Sequence, residues 1–141
     1  LRIFGLFGPG EDYRLRFISN LIVRALSGQP LVMSQDAYFD YVWIRDFVRI
    51  VEHFIQHEGK YRAYNIGTGK RYRLSDIARK IIAISGSRET LQIKKKGFNK
   101  EYTCDNARLM RELRGFRFTD FSGSLQELYT WYKKRKQYWN L

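Results

Sequence analysis

Hydrophobic positions along the chain switch repeatedly between the periods of strands and helices. The chain opens with the apolar stretch LRIFGLF and the turn residues Gly8-Pro9-Gly10, which predict a strand that leaves a hydrophobic interior and ends in a loop. A helix is predicted next, and the breakers Gly28-Gln29-Pro30 end it. Its apolar residues at helical spacing are Phe17, Ile18, Leu21, Ile22, Ala25 and Leu26.

The alternation continues through the middle of the chain. Residues 31–34 predict a short strand, and the aromatic and β-branched segment 38–44 predicts another. Apolar residues at helical spacing over 47–55 predict a second helix that ends near Gly59. The segment YRAYNIGTG, residues 61–69, predicts a strand running into a glycine turn.

Polar residues before apolar runs predict where the remaining helices begin. Ser75 is expected to cap a third helix that ends at Gly86, and a short strand follows at 91–94. Asp105 is expected to cap a short helix, and the capping-box pattern of 124–127 opens a last one. The inward residues of this last helix are Leu125, Leu128, Tyr129 and Tyr132. The fold class is therefore α/β, with short strands and about five helices.

Composition adds limits on size and compartment. With 141 residues, 44% of them hydrophobic, the chain fits one domain, and such a domain buries roughly two thirds of its unfolded surface. No charge-free stretch approaches the roughly 20 apolar residues of a membrane span, and no leader pattern stands at the start, so neither membrane insertion nor export is expected. Cys104 is the single cysteine, which predicts a half-buried packing thiol and suits a reducing cytoplasm.

The net charge of +12, from 26 Lys and Arg against 14 Asp and Glu, leaves two interpretations open. Such a surplus attracts phosphates, nucleic acid or an anionic surface. A fragment of a larger protein can carry the same surplus when its missing part balances the charge.

Two short patterns favour structural over chemical interpretations. Gly67-Thr68-Gly69-Lys70 lies between a strand and a helix, but it lacks the first spaced glycine and the Ser or Thr of a Walker loop, so a plain glycine turn is favoured. His53 and His57 would share a helix face and could hold zinc, yet no third ligand is evident. We therefore expect a solvated polar face and no metal.

Two tyrosine-lysine pairs imitate a catalytic motif. Tyr129 with Lys133, and Tyr132 with Lys136, have the Y-x-x-x-K spacing in which the cation can lower the pKa of the phenol. Both pairs lie in a terminal segment crowded with tyrosine and lysine, where chance matches are expected. Core packing explains the tyrosines better, and no catalytic residue is assigned.

The order of several motifs points to a family. The succession LRIFGLFGPG, RFISNLIVRALSGQPL, YFDYVWIRDFVRIV, YRAYNIGTGKRYRLSDIARKI, EYTCDNARLMRELRGF and LQELYTWY resembles the C-terminal half of the NAD-dependent epimerase/dehydratase family. These are extended short-chain dehydrogenases that act on nucleotide sugars. The resemblance covers nearly the whole chain. It implies that residues 1–141 form the substrate-binding C-terminal domain of an extended Rossmann-type dehydrogenase, including strands that complete a sheet supplied elsewhere.

The resemblance also implies what this chain lacks. In the family, the glycine-rich cofactor loop and the catalytic tyrosine and lysine precede the segment that resembles LRIFGLFGPG. NAD or NADP would therefore be bound mainly by an absent N-terminal half, no cofactor-binding residue is assigned here, and the chain alone is expected to be inactive.

Residues that bind the nucleotide sugar can be carried over by position. Relatives use an asparagine in the first motif, an arginine that opens the second, and an arginine before the last-but-one helix; here these positions are Gly5, Phe39 and Lys95. Phe39 could stack on a base or sugar face. Lys95 could bind phosphate as a point charge, although its neighbours Lys94 and Lys96 leave a solvated strand edge equally open.

The loop before the first helix supplies further candidates, because relatives close over the nucleotide there. Arg14 and Arg16 could replace the charge missing at Phe39, and Phe17 and Ile18 could then contact the base. The predicted substrate-binding residues are thus Lys95, Arg14, Arg16, Phe17, Ile18 and Phe39.

These expectations define one function and one alternative. The chain would be the nucleotide-sugar-binding part of an NAD(P)-dependent epimerase, dehydratase or reductase; its partners are the nucleotide sugar and the missing Rossmann half, and a homodimer stays open. The alternative is a stand-alone nucleic-acid-binding module, in which aromatic side chains between basic residues stack on bases. The scattering of basic residues over every element speaks against it. The aromatic candidates are Tyr72, Phe98, Phe116 and Phe118.

Overall fold

The computed structural model describes residues 1–139 and has the α/β alternation that the sequence predicts. The strands are β1 (Arg2–Ile3), β2 (Gly5–Phe7), β3 (Leu31–Asp36), β4 (Tyr38–Phe39), β5 (Tyr41–Trp43), β6 (Asn65–Ile66), β7 (Tyr72–Arg73) and β8 (Leu91–Phe98). The helices are α1 (Phe17–Leu26), α2 (Ile44–Gln56), α3 (Leu74–Ser85), α4 (Ala107–Glu112) and α5 (Phe121–Lys134), followed by a 3-10 turn, Lys136–Tyr138. Among these helices none combines the length and apolarity that a membrane crossing requires.

The strands pair two by two. β1 with β6, β2 with β5 and β3 with β8 are parallel, whereas β4 with β7 is antiparallel. The opening segment is therefore two strands and not one, because it changes partner at Phe4. The N–H of Phe4 donates to the carbonyl oxygen of Ile66 at 3.1 Å, and the N–H of Gly5 donates to that of Asp40 at 3.1 Å.

The strand predicted over 38–44 is also divided, at Asp40. β4 pairs with β7 and β5 pairs with β2, so the chain changes sheet at this residue. α2 starts at Ile44, directly after β5, three residues earlier than its apolar spacing predicts. Segment 61–69 contributes only the two residues of β6, and β8 runs on to Phe98 beyond the predicted end.

The core lies mainly among α1, α3 and α5. Buried residues of this cluster include Leu21, Ile77 and Leu125, each 0–1% exposed. Tyr129 and Tyr132 belong to it as well, which confirms that core packing explains both tyrosines. A smaller cluster forms under α2, α4 and β6, from Ile50, Tyr64, Ile66, Leu109 and Leu113.

The predicted cap of α3 is wrong, although the helix itself is confirmed. Ser75 lies inside the first turn, and its N–H donates to Oδ1 of Asp36 on β3 at 3.0 Å. Arg73 pairs with the other oxygen of Asp36 at 2.6 Å. Burial raises the pKa of Asp36, but the hydrogen bonds from Ser75 and Arg73 outweigh burial and leave the pKa below its usual value. Gly86 ends the helix as predicted, with φ +65°.

The predicted start of α5 is also wrong, by four residues. The cap is Asp120, whose carboxylate accepts from the N–H of Gly123 at 2.9 Å, and Ser124 lies within the helix. Asp105 does bind the start of α4, since its Oδ1 accepts from the N–H of Ala107 at 2.8 Å. A carboxylate one turn upstream therefore displaces the predicted serine at α5.

Candidate functional site

A cavity of about 490 Å³ lies beside the opening strands. Its walls come from β1 and β2, from the start of α1, from β4 and β5, and from the segment after β8. Apolar and aromatic side chains dominate the lining, and Glu11 and Arg16 are its charged residues among the described part of the chain. This composition, with few charged groups in an apolar wall, is typical of small-molecule sites.

Residues predicted from separate motifs meet in this lining. Arg16, Phe17 and Ile18 reach it from the start of α1, and Phe39 reaches it from β4. Arg16 is exposed, Phe17 and Phe39 are half-buried, and Ile18 is buried in the core behind the wall. The fold thus brings together residues that lie more than twenty positions apart in the sequence.

Arg14 and Lys95 lie outside the lining. The Arg14 side chain is bound to Asp12 through two hydrogen bonds, at 2.9 Å and 3.0 Å, and is 72% exposed. Lys95 lies on β8 opposite Gln35 and is exposed, as are its neighbours Lys94 and Lys96. Their roles in substrate binding remain predictions.

The fold leaves no room for a side chain at Gly5. A Cβ at Gly5 would lie 2.4 Å from the carbonyl oxygen of Asp40 and 2.8 Å from Cδ1 of Tyr41. Real Cβ atoms do not approach a backbone oxygen so closely. The close pairing of β2 with β5 therefore requires glycine, and the cavity wall presents backbone at this position.

An aromatic wall lines one side of the cavity. The Phe39 ring lies 5.9 Å from that of Tyr41 and 5.5 Å from that of Tyr102, and Tyr102 contacts Phe4 at 4.9 Å. Tyr102 reaches the site through a single bridge between its backbone and that of Phe39. No local sequence pattern predicts that Tyr102 pairs with Phe39, so sequence reasoning missed Tyr102.

Sequence reasoning also missed Glu11. The Ser19 hydroxyl donates to Oε1 of this half-buried carboxyl. Burial raises the pKa of Glu11 to about 7, although the hydrogen bond from Ser19 and the charge of Arg16 act in the opposite direction. Its signal in the sequence is weak, an acidic residue directly after the glycine-proline turn.

The glycine turn before β7 binds an internal carboxylate. The N–H and hydroxyl of Thr68 donate to Oδ1 of the buried Asp40 at 2.8 Å and 2.6 Å, and the N–H of Gly69 donates to Oδ2 at 2.8 Å. The predicted glycine turn is confirmed. Because Asp40 occupies these donors, the loop does not fit the pyrophosphate of NAD(P).

Cys104 also contacts the carboxylate of Asp40. Its thiol contacts Oδ2 of Asp40 at 3.5 Å, and the residue is half-buried, as predicted. Burial, followed by the Asp40 charge, raises the pKa of the Cys104 thiol to about 12. The thiol is therefore protonated at neutral pH and is a poor nucleophile.

The histidine pair of α2 is stacked, and the last tyrosine of α5 is hydrogen-bonded at its hydroxyl. The rings of His53 and His57 stack at 4.6 Å, and no group of three or more candidate ligands in residues 1–139 could hold a metal ion. His57 is exposed, whereas His53 is half-buried, so the predicted polar face applies to His57 alone. Tyr132 donates its hydroxyl to the carbonyl oxygen of Glu11 at 3.3 Å, on the cavity side of the core.

A family model and a curated relative match this chain. The model of the NAD dependent epimerase/dehydratase family matches residues 1–67, which hold β1, β2, α1, Phe39 and most of the cavity wall. A curated relative from Arabidopsis thaliana, a trifunctional UDP-glucose 4,6-dehydratase/UDP-4-keto-6-deoxy-D-glucose 3,5-epimerase/UDP-4-keto-L-rhamnose-reductase, is 26% identical over 141 residues. The match takes in 95% of this chain but 21% of that relative.

Solved structures show the same fold. The dTDP-glucose 4,6-dehydratase of Bacillus anthracis, in complex with NAD, superposes with a TM-score of 0.85 at 21% identity, over 98% of this chain and 45% of that one. The UDP-glucose 4-epimerase of Thermotoga maritima, with UDP-glucose, gives a TM-score of 0.79 at 20% identity, over 98% and 46%. The chain spans less than half the length of these proteins, and its α/β fold is that of nucleotide-sugar enzymes.

Proposed function

We propose, from the match of residues 1–67 to the model of the NAD dependent epimerase/dehydratase family, that this chain is the nucleotide-sugar-binding part of an NAD(P)-dependent epimerase, dehydratase or reductase. The observation that carries the proposal is the meeting of Arg16, Phe17, Ile18 and Phe39 at one cavity. Its volume of about 490 Å³ lies within the range of about 300–1,000 Å³ that small-molecule sites occupy.

The lining offers two kinds of contact to different parts of the proposed ligand. Phe39 and Tyr102 offer aromatic faces to a base or sugar ring. Arg16 is exposed at the rim, where its guanidinium can donate paired hydrogen bonds to a diphosphate. Lys95 and Arg14, outside the lining, are proposed to contact the phosphates from the periphery.

The chain is further proposed to be the C-terminal domain of a longer enzyme. Its coverage of under half of the dehydratase and epimerase chains supports this. NAD or NADP would be bound mainly by the other half, since the glycine loop at 67–69 is occupied by Asp40. This chain would then hold the sugar against the nicotinamide and be inactive alone. The proposed location is the cytoplasm, and a homodimer is compatible with the proposal.

Titration calorimetry of this chain with UDP-glucose and dTDP-glucose tests the proposal. Arg16→Ala should weaken binding by about tenfold, since a hydrogen bond to a charged group contributes about 1.5–3 kcal/mol and every 1.4 kcal/mol is tenfold. Arg62→Ala, which removes an exposed arginine outside the lining, is the matched control and should leave binding unchanged. Absence of binding to either sugar nucleotide, or equal losses in both variants, would refute the proposal.

Nucleic-acid binding is the second candidate, and β8 favours it. Lys94, Lys95 and Lys96 are consecutive and exposed, and Phe98 beside them is 52% exposed. Tyr72, in contrast, stacks on Phe121 at 4.2 Å against the core. Affinity for an oligonucleotide that exceeds affinity for UDP-glucose and falls steeply with salt would favour this candidate.

A further inference from the structure

Glu11 places an acidic group in a cavity that is proposed to bind phosphate. It projects from the turn after β2 into a lining whose single cation among the described residues is Arg16. The carboxyl is held there, because Ser19, itself 0% exposed, donates its hydroxyl to Oε1. Tyr132 anchors the backbone of the same residue from α5, at 3.3 Å. The carboxyl therefore cannot turn into solvent without breaking a partly buried hydrogen bond.

The groups around Glu11 provide little positive charge. Arg16 at the start of α1 is the cation that acts on it, and the N–H of Gly8 adds a hydrogen bond. The phenols of Tyr41 on β5 and Tyr132 on α5 are neutral neighbours, and Asp12 and Tyr13 follow on its own segment. Asp12 is itself paired with Arg14. The exposed Arg16 is thus the one lining cation, among the described residues, that can stabilise either the Glu11 carboxylate or an anion in the cavity.

A bound diphosphate changes this balance. It competes with Glu11 for Arg16 and places further negative charge beside a half-buried carboxylate. Both effects favour the neutral acid, because a like charge and the loss of a cation raise the pKa of a carboxyl group. The pKa of Glu11 in the free protein, about 7, is already close enough to neutrality for protonation to cost little. A protonated carboxyl can also donate a hydrogen bond, which a carboxylate cannot.

We propose that Glu11 is a specificity-determining residue: it takes one proton from solvent when a phosphate-bearing ligand enters the cavity, and it holds that ligand as a neutral hydrogen-bond donor. This inference rests on the proposed function and adds the charge state in which the site accepts its ligand. Neutral ligands bind without proton uptake. Affinity for phosphate-bearing ligands is constant below about pH 6 and falls as the pH rises above about 7, by at most tenfold per pH unit.

Calorimetry at pH 7.5 in two buffers of different ionisation enthalpy measures the protons taken up per ligand. UDP-glucose is the probe because its diphosphate has no ionisation near neutrality, unlike a terminal phosphate with a pKa near 6. Uridine is the neutral control. We expect about 0.5–1 proton per UDP-glucose, none per uridine, and none per UDP-glucose in Glu11→Gln. At pH 8 the Gln variant should bind UDP-glucose up to about tenfold more tightly than the unmodified chain, with equal affinities at pH 6.

The outcomes separate the two proposals. If UDP-glucose binds with the same proton uptake in Glu11→Gln, or with none in the unmodified chain, the role of Glu11 is refuted and the proposed function stands. If UDP-glucose does not bind at any pH, the proposed function fails and this inference fails with it. Carbon-13 NMR of the carboxyl groups in the unmodified chain is an independent measurement that does not depend on the variant folding. A Glu11 midpoint that is no higher with UDP-glucose bound than in the free chain would overturn the inference.

Discussion

Replacing Asp40 with asparagine should destabilise the fold strongly, because it changes one atom in a fully occupied buried cluster. Asp40 is 0% exposed, and its Oδ1 accepts from the N–H and hydroxyl of Thr68. Its Oδ2 accepts from the N–H of Gly69 at 2.8 Å and contacts the Cys104 thiol. In Asp40→Asn, one amide oxygen can keep the Thr68 contacts. The amide nitrogen then faces the Gly69 N–H, so that two donors oppose each other.

The expected cost follows from the groups left unsatisfied. A buried donor without a partner costs about 1–3 kcal/mol, and the remaining hydrogen bonds lose the strength that the charge gave them. We expect the free energy of unfolding to fall by about 2–4 kcal/mol. Urea denaturation measures it, and an unchanged m-value would show that the native and unfolded states keep their compactness.

The control for this substitution is an exposed carboxylate on the same fold. Asp76 pairs with Arg79 on the surface of α3, and its side chain is 58% exposed. Asp76→Asn should cost less than about 0.5 kcal/mol, as exposed helix pairs do. A loss below about 1 kcal/mol for Asp40→Asn, or a loss equal to that of Asp76→Asn, would refute the argument from buried donors.

Three other changes have expected outcomes. Gly5→Ala should lower the free energy of unfolding in urea by about 2 kcal/mol through the clash with Asp40 and β5. Gly123→Ala in α5 should be neutral or stabilising, because the new Cβ would lie 3.7 Å from its nearest neighbour, Oδ2 of Asp120. Similar losses in both variants would contradict the steric reason. Because the pKa of Asp36 is lowered by folding, its contribution to stability is present above the unfolded pKa of about 3.9 and is lost as the pH falls through the folded value; melting curves of Asp36→Asn should lose this acid dependence. In the longer enzyme proposed above, Lys95→Ala should weaken nucleotide-sugar binding and leave NAD(P) binding unchanged, and unaltered substrate affinity would remove Lys95 from the site.

Helix positions could be predicted because their signals are local. α1 spans Phe17–Leu26 as its apolar spacing predicts, and Gly86 ends α3 because a left-handed φ favours glycine there. The caps at Ser75 and Ser124 were wrong because a carboxylate competes better for the free N–H groups. For α5 that carboxylate, Asp120, is adjacent in sequence, whereas for α3 it comes from β3 and no local pattern contains it.

The candidate site was predictable only in part, for the same reason. Arg16, Phe17 and Phe39 could be named from a family resemblance, and the fold brings them to one lining. Glu11 and Tyr102 depend on contacts with Ser19 and Phe39 that form only when distant segments meet. The division of the first strand at Phe4 likewise follows from two partners, β5 and β6, that lie far along the chain.

This two-partner strand has a consequence for how the chain folds. Arg2 pairs with Asn65, Gly5 with Tyr41 and Leu31 with Leu91, so the parallel pairs join distant segments. Closing such long loops costs entropy before any pairing repays it, which places the chain among slow folders, with times of milliseconds to seconds. On a ribosome that adds about 5–20 residues per second, β1 and β2 wait several seconds for their partners. During that interval Phe7 of β2, which is 2% exposed in the fold, lacks the partners that cover it.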